Sequence, residues 1–299
     1  MTSPAARVRL HVAIDLQYEV AAPGADFIFN LQLAHTPQQS VVWESLQVSQ
    51  PVAQVAHTDA ATRARLLCLT AQPGRLQVSY RATADLHFHV AEPASVLEVP
   101  IAELAPEAIP YLYPSRYCQS DQLTALATQL FGHLPRGYLR IQAVQRWVQS
   151  QVSFQSATSN STTSALDTLR DRVGVCRDFA HLMIAMCRAL NVPARFTTAT
   201  DFGADPALGP PDFHAYVEVY LGHRWYIFDA SGTAIPMGFV RIGTGRDAAD
   251  SSFATIFGPV TSMAPLIDVS AQSDVRAGWE LPVHRMQALS TDAGSRARS

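Results

Sequence analysis

Apolar and polar positions alternate with period two from Val8 to Val20, with Val8, Leu10, Val12, Ile14 and Leu16 sharing one parity. Successive side chains of a strand point to opposite faces, so this pattern predicts a strand with one buried face. Pro23-Gly24-Ala25 reads as a turn, and residues 27 to 33 alternate again. Further strand-like runs cover 41–48, 65–70 and 76–83, the last two separated by Pro73-Gly74. Several short strands at this spacing, divided by turn signals, predict an antiparallel sandwich. His87 and His89 alternate on a further run with Glu92 nearby, a pattern that suits exposed strand-face histidines better than a metal site. This half of the chain shows no evident chemistry and reads as a support or a recognition module.

The period changes after a proline-marked linker, Pro106 to Pro114. Ser120-Asp121 opens a helical pattern through Leu123, Leu126, Leu130 and Phe131, and residues 138–151 carry a second one through Ile141, Val144, Trp147 and Val148. A Ser/Thr-rich loop at 156–164 leads to a short helical turn at 165–169. From Val175 to Leu190, Phe179, Leu182, Met183, Met186 and Leu190 recur at helical spacing, and Asn191 and Pro193 supply the stop. Ala194 to Thr200 reads as a strand and Asp201 to Pro211 as a Gly/Pro-rich loop that rims a cleft. Residues 213–221 and 224–229 are rich in β-branched and aromatic residues, with Gly222-His223 between them as a two-residue hairpin turn. Arg241, Arg246, Asp247 and Asp250 predict a salt-bridged loop within 238–257, and 286–299 reads as a disordered tail. The expected organisation is a β-rich domain at 1–110, a catalytic domain at 111–285, and the tail.

Composition narrows the class. Of 299 residues, 48% are hydrophobic and 16% charged, which suits a globular chain. A net charge of -3 gives no electrostatic reason to expect a nucleic-acid partner. No apolar run is long enough to span a bilayer, and Met1 to Leu16 has no signal-peptide core, so a cytoplasmic location is expected. Cys68, Cys118, Cys176 and Cys187 form no CxxC pair and no zinc-like spacing. Cys176 and Cys187 are separated by about 16 Å along one helix, too far for a disulfide. Reduced thiols are the simplest reading, and no metal or organic cofactor is implied.

The candidate chemistry begins at Gly174-Val175-Cys176, where a tight turn becomes a helix. A cysteine in the first helical turn meets unpaired N–H groups and the positive end of the helix dipole, both of which favour a thiolate. Taken alone, Cys176 serves equally well as a small buried residue. The hairpin adds the missing partners. If Leu221 pairs with Arg224, Asp229 lies opposite Tyr216 and diagonal to His214, about 7–8 Å apart at Cα and within side-chain reach. A slip of one residue would put the two on opposite faces. Cysteine, histidine and aspartate then supply a nucleophile, a base and an orienting acid.

Gly174-Val175-Cys176-Arg177-Asp178-Phe179-Ala180, the Asn191-Val192-Pro193-Ala194-Arg195 segment, His214-Ala215-Tyr216-Val217-Glu218-Val219 and Trp225-Tyr226-Ile227-Phe228-Asp229 together resemble the transglutaminase-like superfamily of the papain-like cysteine enzymes. The upstream half resembles the β-rich region that precedes this core in many bacterial members. The resemblance implies an α+β fold, with a nucleophile-bearing helix packed on an antiparallel sheet behind an N-terminal β-sandwich-like domain. It implies Cys176 as nucleophile, His214 as base and acid, and Asp229 as orienter. Tyr216, standing where many members have tryptophan, and Trp225 are expected at the substrate, a peptide or protein amide. Ala230 departs from the proline common after the aspartate. Cysteine hydrolase, protein-glutamine transamidase and non-catalytic binding module are the competing readings. The Cys176 backbone N–H is the candidate oxyanion donor.

Overall fold

The computed structural model describes residues 7–203, 205–274, 276–292 and 294. Strand β1 (Arg7–Val20) is followed by β2 (Ala25–Phe29), β3 (Gln39–Val48), β4 (Gln54–Thr58), β5 (Arg65–Ala71), β6 (Gly74–His87) and β7 (His89–Ala91). The alternation in β1 emerges as a strict inward and outward sequence, with Leu10 and Ile14 fully buried. Its antiparallel partner β6 runs the full length beside it, from Arg7–His87 to Val20–Gly74. One sheet contains β3, β6 and β1, and a second contains β4, β5 and β2. Tyr18, Phe27 and Phe29 fill the space between them, with the Tyr18 and Phe27 rings 5.1 Å apart.

The second half begins with helices α1 (Thr124–Phe131) and α2 (Tyr138–Gln151), then β8 (Ser153–Phe154), α3 (Ala165–Asp171), β9 (Val173–Gly174) and α4 (Cys176–Ala189). Strands β10 (Ala194–Asp201), β11 (His214–Leu221), β12 (Arg224–Phe228) and β13 (Phe239–Gly245) form an antiparallel sheet in the order β12-β11-β10-β13. The α4 pattern predicts one buried face, yet every residue from Asp178 to Ala189 is buried. The sheet covers one side, through Ala215, Val217, Val219 and Leu221, and the other helices cover the rest. Its polar members are mostly satisfied, with His181 Nδ1 left without a hydrogen-bond partner among the described residues. His181 accepts the Ala248 N–H, and Arg188 donates to the Ala194, Tyr113 and Arg246 carbonyls.

The chain does not stay in the second half. Strands β14 (Ala254–Phe257), β15 (Val260–Ser262) and β16 (Leu266–Gln272) return to the sandwich, β14 on β2 and the other two on β1. The sequence-based division, which assigns 254–272 to the catalytic domain, is corrected here: β15 and β16 complete the β1 edge and β14 completes the β2 edge. The tail expectation is also corrected through residue 292. Strand β17 (Ala288–Ser290) pairs with β7, and the Asp292 carboxylate reaches Arg195 and Arg241. Residues 293 and 295–299 of that segment lie outside the described residues.

Beneath Asp292 sits the most heavily charged part of the interior. Glu218 is 0% exposed and accepts from Arg195 at 2.7 Å and from Arg241. Tyr216 donates to the same carboxylate at 3.3 Å. Removing the acid leaves two buried guanidinium groups short of an anion. Glu218→Ala is therefore expected to lower the unfolding free energy by about 3–5 kcal/mol in urea denaturation.

The start of α4 depends on Gly174. A Cβ there would stand 2.7 Å from the Asp178 Cβ and 3.0 Å from its Oδ2. That oxygen accepts the Val175 N–H at 2.9 Å and closes the helix start. Gly174→Ala is expected to cost about 1–3 kcal/mol on the same measurement, by displacing Asp178 from this bond.

Candidate active site

Short β8 and β9 pair in parallel and bring Val173–Gly174 up to the first turn of α4. Val175 is extended, and Cys176 is the first helical residue. His214 opens β11 opposite Ala199 of β10. The predicted hairpin is present, with Leu221 opposite Arg224 and both Gly222 and His223 at positive φ. That register carries through Val217–Phe228 and leaves Asp229 diagonal to His214. His214 Nε2 and Asp229 Oδ1 are 3.3 Å apart, and both residues are buried.

Asp229 is held on several sides. Its Oδ1 also accepts from Ser231 Oγ at 2.8 Å and the Ser231 N–H at 3.2 Å, and Oδ2 accepts the Ala234 N–H at 3.0 Å. Gln145 and Gln149 of α2 donate to its backbone carbonyl at 2.6 and 3.1 Å. Burial opposes its charge, but His214, the Ala234 N–H and the Ser231 hydroxyl outweigh burial and hold the carboxyl below its ordinary range. Burial likewise opposes a charged His214, while the Asp229 bond and charge, with Asp201, raise the imidazole above its ordinary value. The ring also stacks on Phe239 at 4.9 Å, which fixes its plane. Nδ1 makes no hydrogen bond among the described residues.

The Cys176 sulfur faces the end of β11, 3.9 Å from the Phe213 carbonyl. Its helix position predicts a lowered thiol pKa, and the surroundings reverse that expectation. Burial, then the negative charges of Asp212, Asp229 and Asp201, push the thiol up to about 12 against a favourable Ala215 N–H. Both influences favour the neutral thiol. All four cysteines are free.

Cys176 and His214 line a cleft of about 640 Å³, walled by the 205–213 loop and by Ser251 to Ala254. Tyr216 and Trp225, expected at the substrate, are not in its lining, and both expectations are corrected. Tyr216 is buried behind His214, its ring stacked on Phe239 at 4.6 Å. Trp225 lies under the Arg195 guanidinium at 4.2 Å and borders a separate depression with Arg241 and Asp292. Sequence reasoning missed Asp201, Ser231, Gln145 and Gln149. Only the Ser231 position, two residues after the aspartate in a turn, carried a local signal for an Asx-type bond. Among the described residues, no group of three or more potential metal ligands clusters.

Known proteins bear on this geometry. The model of the transglutaminase-like superfamily matches residues 124–230, and that of the bacterial transglutaminase N-terminal domain matches residues 8–107. A crystal structure of a proposed cysteine protease from Cytophaga hutchinsonii is 38% identical, with a TM-score of 0.88 over 95% of this chain and 97% of that one. An uncharacterized protein of Mycobacterium leprae is 29% identical over 122 residues, 40% of this chain and 43% of that protein. One from Mycobacterium tuberculosis is 29% identical over 114 residues, 34% of this chain and 36% of the relative. The chain thus spans less than half the length of these mycobacterial relatives. With both halves matched and the full-length structure shared, the chain belongs to the transglutaminase-like superfamily.

Proposed function

We propose that the protein is a cysteine-dependent hydrolase of peptide or protein amides that works through a thioester on Cys176. The observation that carries this reading is the His214–Asp229 contact of 3.3 Å at the edge of a cleft that also contains Cys176. Asp229 engages Nε2, so Nδ1 is the ring nitrogen left to take the thiol proton. Because the thiol is held up to about 12, proton removal accompanies attack and His214 acts as a general base. The sulfur adds to the amide carbonyl, and the Cys176 backbone N–H at the helix start is the candidate donor to the oxyanion. Imidazolium then protonates the leaving amine. Water, deprotonated by the same ring, resolves the thioester. Asp229 keeps the tautomer and steadies the imidazolium. The similarity to a proposed cysteine protease supports this choice over a binding module.

The pH dependence follows from the imidazole. Activity requires neutral His214, whose pKa is raised, so alkylation of Cys176 by iodoacetamide is expected to rise with pH through an inflection above 6.5. Asp229→Asn removes the charge that raises it, so the inflection moves to lower pH. Turnover of an amide substrate falls about 10⁴-fold in this variant by loss of the tautomer. Mass-spectrometric rates at Cys176 check the first part, and an inflection unmoved by Asp229→Asn would defeat the assignment.

Transamidation would use the same three groups with an amine in place of water. A glutamine peptide offered with excess primary amine is expected to give carboxylate product. Incorporation of the amine, read by mass, would instead assign the transferase reaction.

A further inference from the structure

One carboxyl in the cleft wall takes no direct part in the proton transfers, although its charge acts on His214 and Cys176. Asp201 ends β10, two residues past the Ala199–His214 pair, and is 9% exposed. It lines the cleft together with Cys176 and His214. Among the described residues, its carboxyl feels its own backbone N–H and the charges of His214 and Asp229, and it makes no hydrogen bond or ion pair with another side chain. Burial pushes this carboxyl above its ordinary range, with His214 opposing and Asp229 adding. That is the behaviour of a buried carboxyl with no cationic side chain bonded to it.

Asp212 lines the same cleft from the loop before His214, exposed and oriented by the Phe213 N–H at 2.7 Å. Both carboxylates act on the Cys176 sulfur. Arg177, the arginine of the lining, is already committed. It pairs with Asp178 at 3.3 Å and donates to the Asn160 carbonyl at 2.6 Å. The wall around the nucleophile therefore holds two carboxyls that the arginine of the lining does not pair with.

We propose that Asp201 and Asp212 form a subsite for a cationic group of the substrate, an ammonium or guanidinium bound beside the Cys176 sulfur. The subsite selects amides that carry a basic group near the scissile bond, and for that use it rests on the hydrolase reading. It also has a consequence for the nucleophile. A bound cation offsets the carboxylates that keep the sulfur protonated, so occupancy favours the thiolate, while a neutral or anionic analogue lacks this effect.

The electrostatics can be measured without turnover, using methanethiosulfonates that transfer a thioalkyl group to a thiolate and release methanesulfinate. The rate at Cys176 would be compared for the 2-(trimethylammonium)ethyl and 2-sulfonatoethyl reagents, with each rate divided by that for 2-mercaptoethanol. The corrected ratio is expected to favour the cation by about tenfold or more at low salt. It is expected to fall by about threefold or more in Asp201→Asn and in Asp212→Asn; the latter, at an exposed position, supplies the result if the former fails to fold. A corrected ratio near one, or a cation preference unchanged in the folded variants, overturns the subsite. Such a result alongside Cys176-dependent amide cleavage leaves the hydrolase reading standing. A cation preference that both substitutions reduce, with no amide cleaved, supports the subsite while removing the hydrolase reading.

Discussion

A helix buried on every side from its third residue onward has to begin at the edge of the core, and its first N–H groups must be satisfied there. In α4 this constraint fixes the site. The Asp178 carboxylate closes the helix start against the Val175 N–H, and the pair leaves no room for a side chain at residue 174. Cys176 is therefore held on a short turn between two immovable objects, the Gly174 backbone and the packed body of the helix. The β11 strand that covers α4 with Ala215 and Val217 is the one that begins with His214. Packing of the helix on the strand thus brings the sulfur to the strand end without any dedicated contact between sulfur and imidazole.

The electrostatics of the site run against the helix. A first-turn position favours an anion by a fraction of a kcal/mol to a few, but burial and three carboxylates act in the opposite sense on the same sulfur. The balance raises both partners: burial and the carboxylates favour the neutral thiol, and Asp229 makes the imidazole more basic.

The central hairpin was legible because its determinants are local. Gly222 and His223 take the positive φ values of a tight two-residue turn, and period-two side-chain geometry carries the register outward to His214 and Asp229. Asp201 was not legible. Its place beside His214 depends on the β10–β11 register, and the connection from 202 to 213 is too long to fix a register by turn type. Tyr216 and Trp225 failed as substrate contacts for a related reason: aromatic identity does not reveal which layer a strand face meets. Tyr216 shares its face with Glu218 and meets Phe239, while Trp225 meets Arg195. The polar composition of the C-terminal segment concealed Asp292, whose carboxylate completes a buried pair of arginines.

The sandwich, expected as a support or a recognition module, reaches one wall of the cleft through the start of β14. Phe213, immediately before His214, stacks on Phe253 at 4.2 Å. The Phe253 carbonyl accepts the Asn30 N–H at 2.9 Å, and the next residue enters β14 of the sandwich. Phe239, against which His214 is stacked, belongs to the same apolar cluster as Leu10, Ile14 and Phe29. The imidazole plane and one cleft wall are thereby set by packing that the core sheet cannot supply alone. Loosening the sandwich would reach the site through Phe253 and Phe239 before it disturbed α4, whose apolar contacts lie in a different cluster.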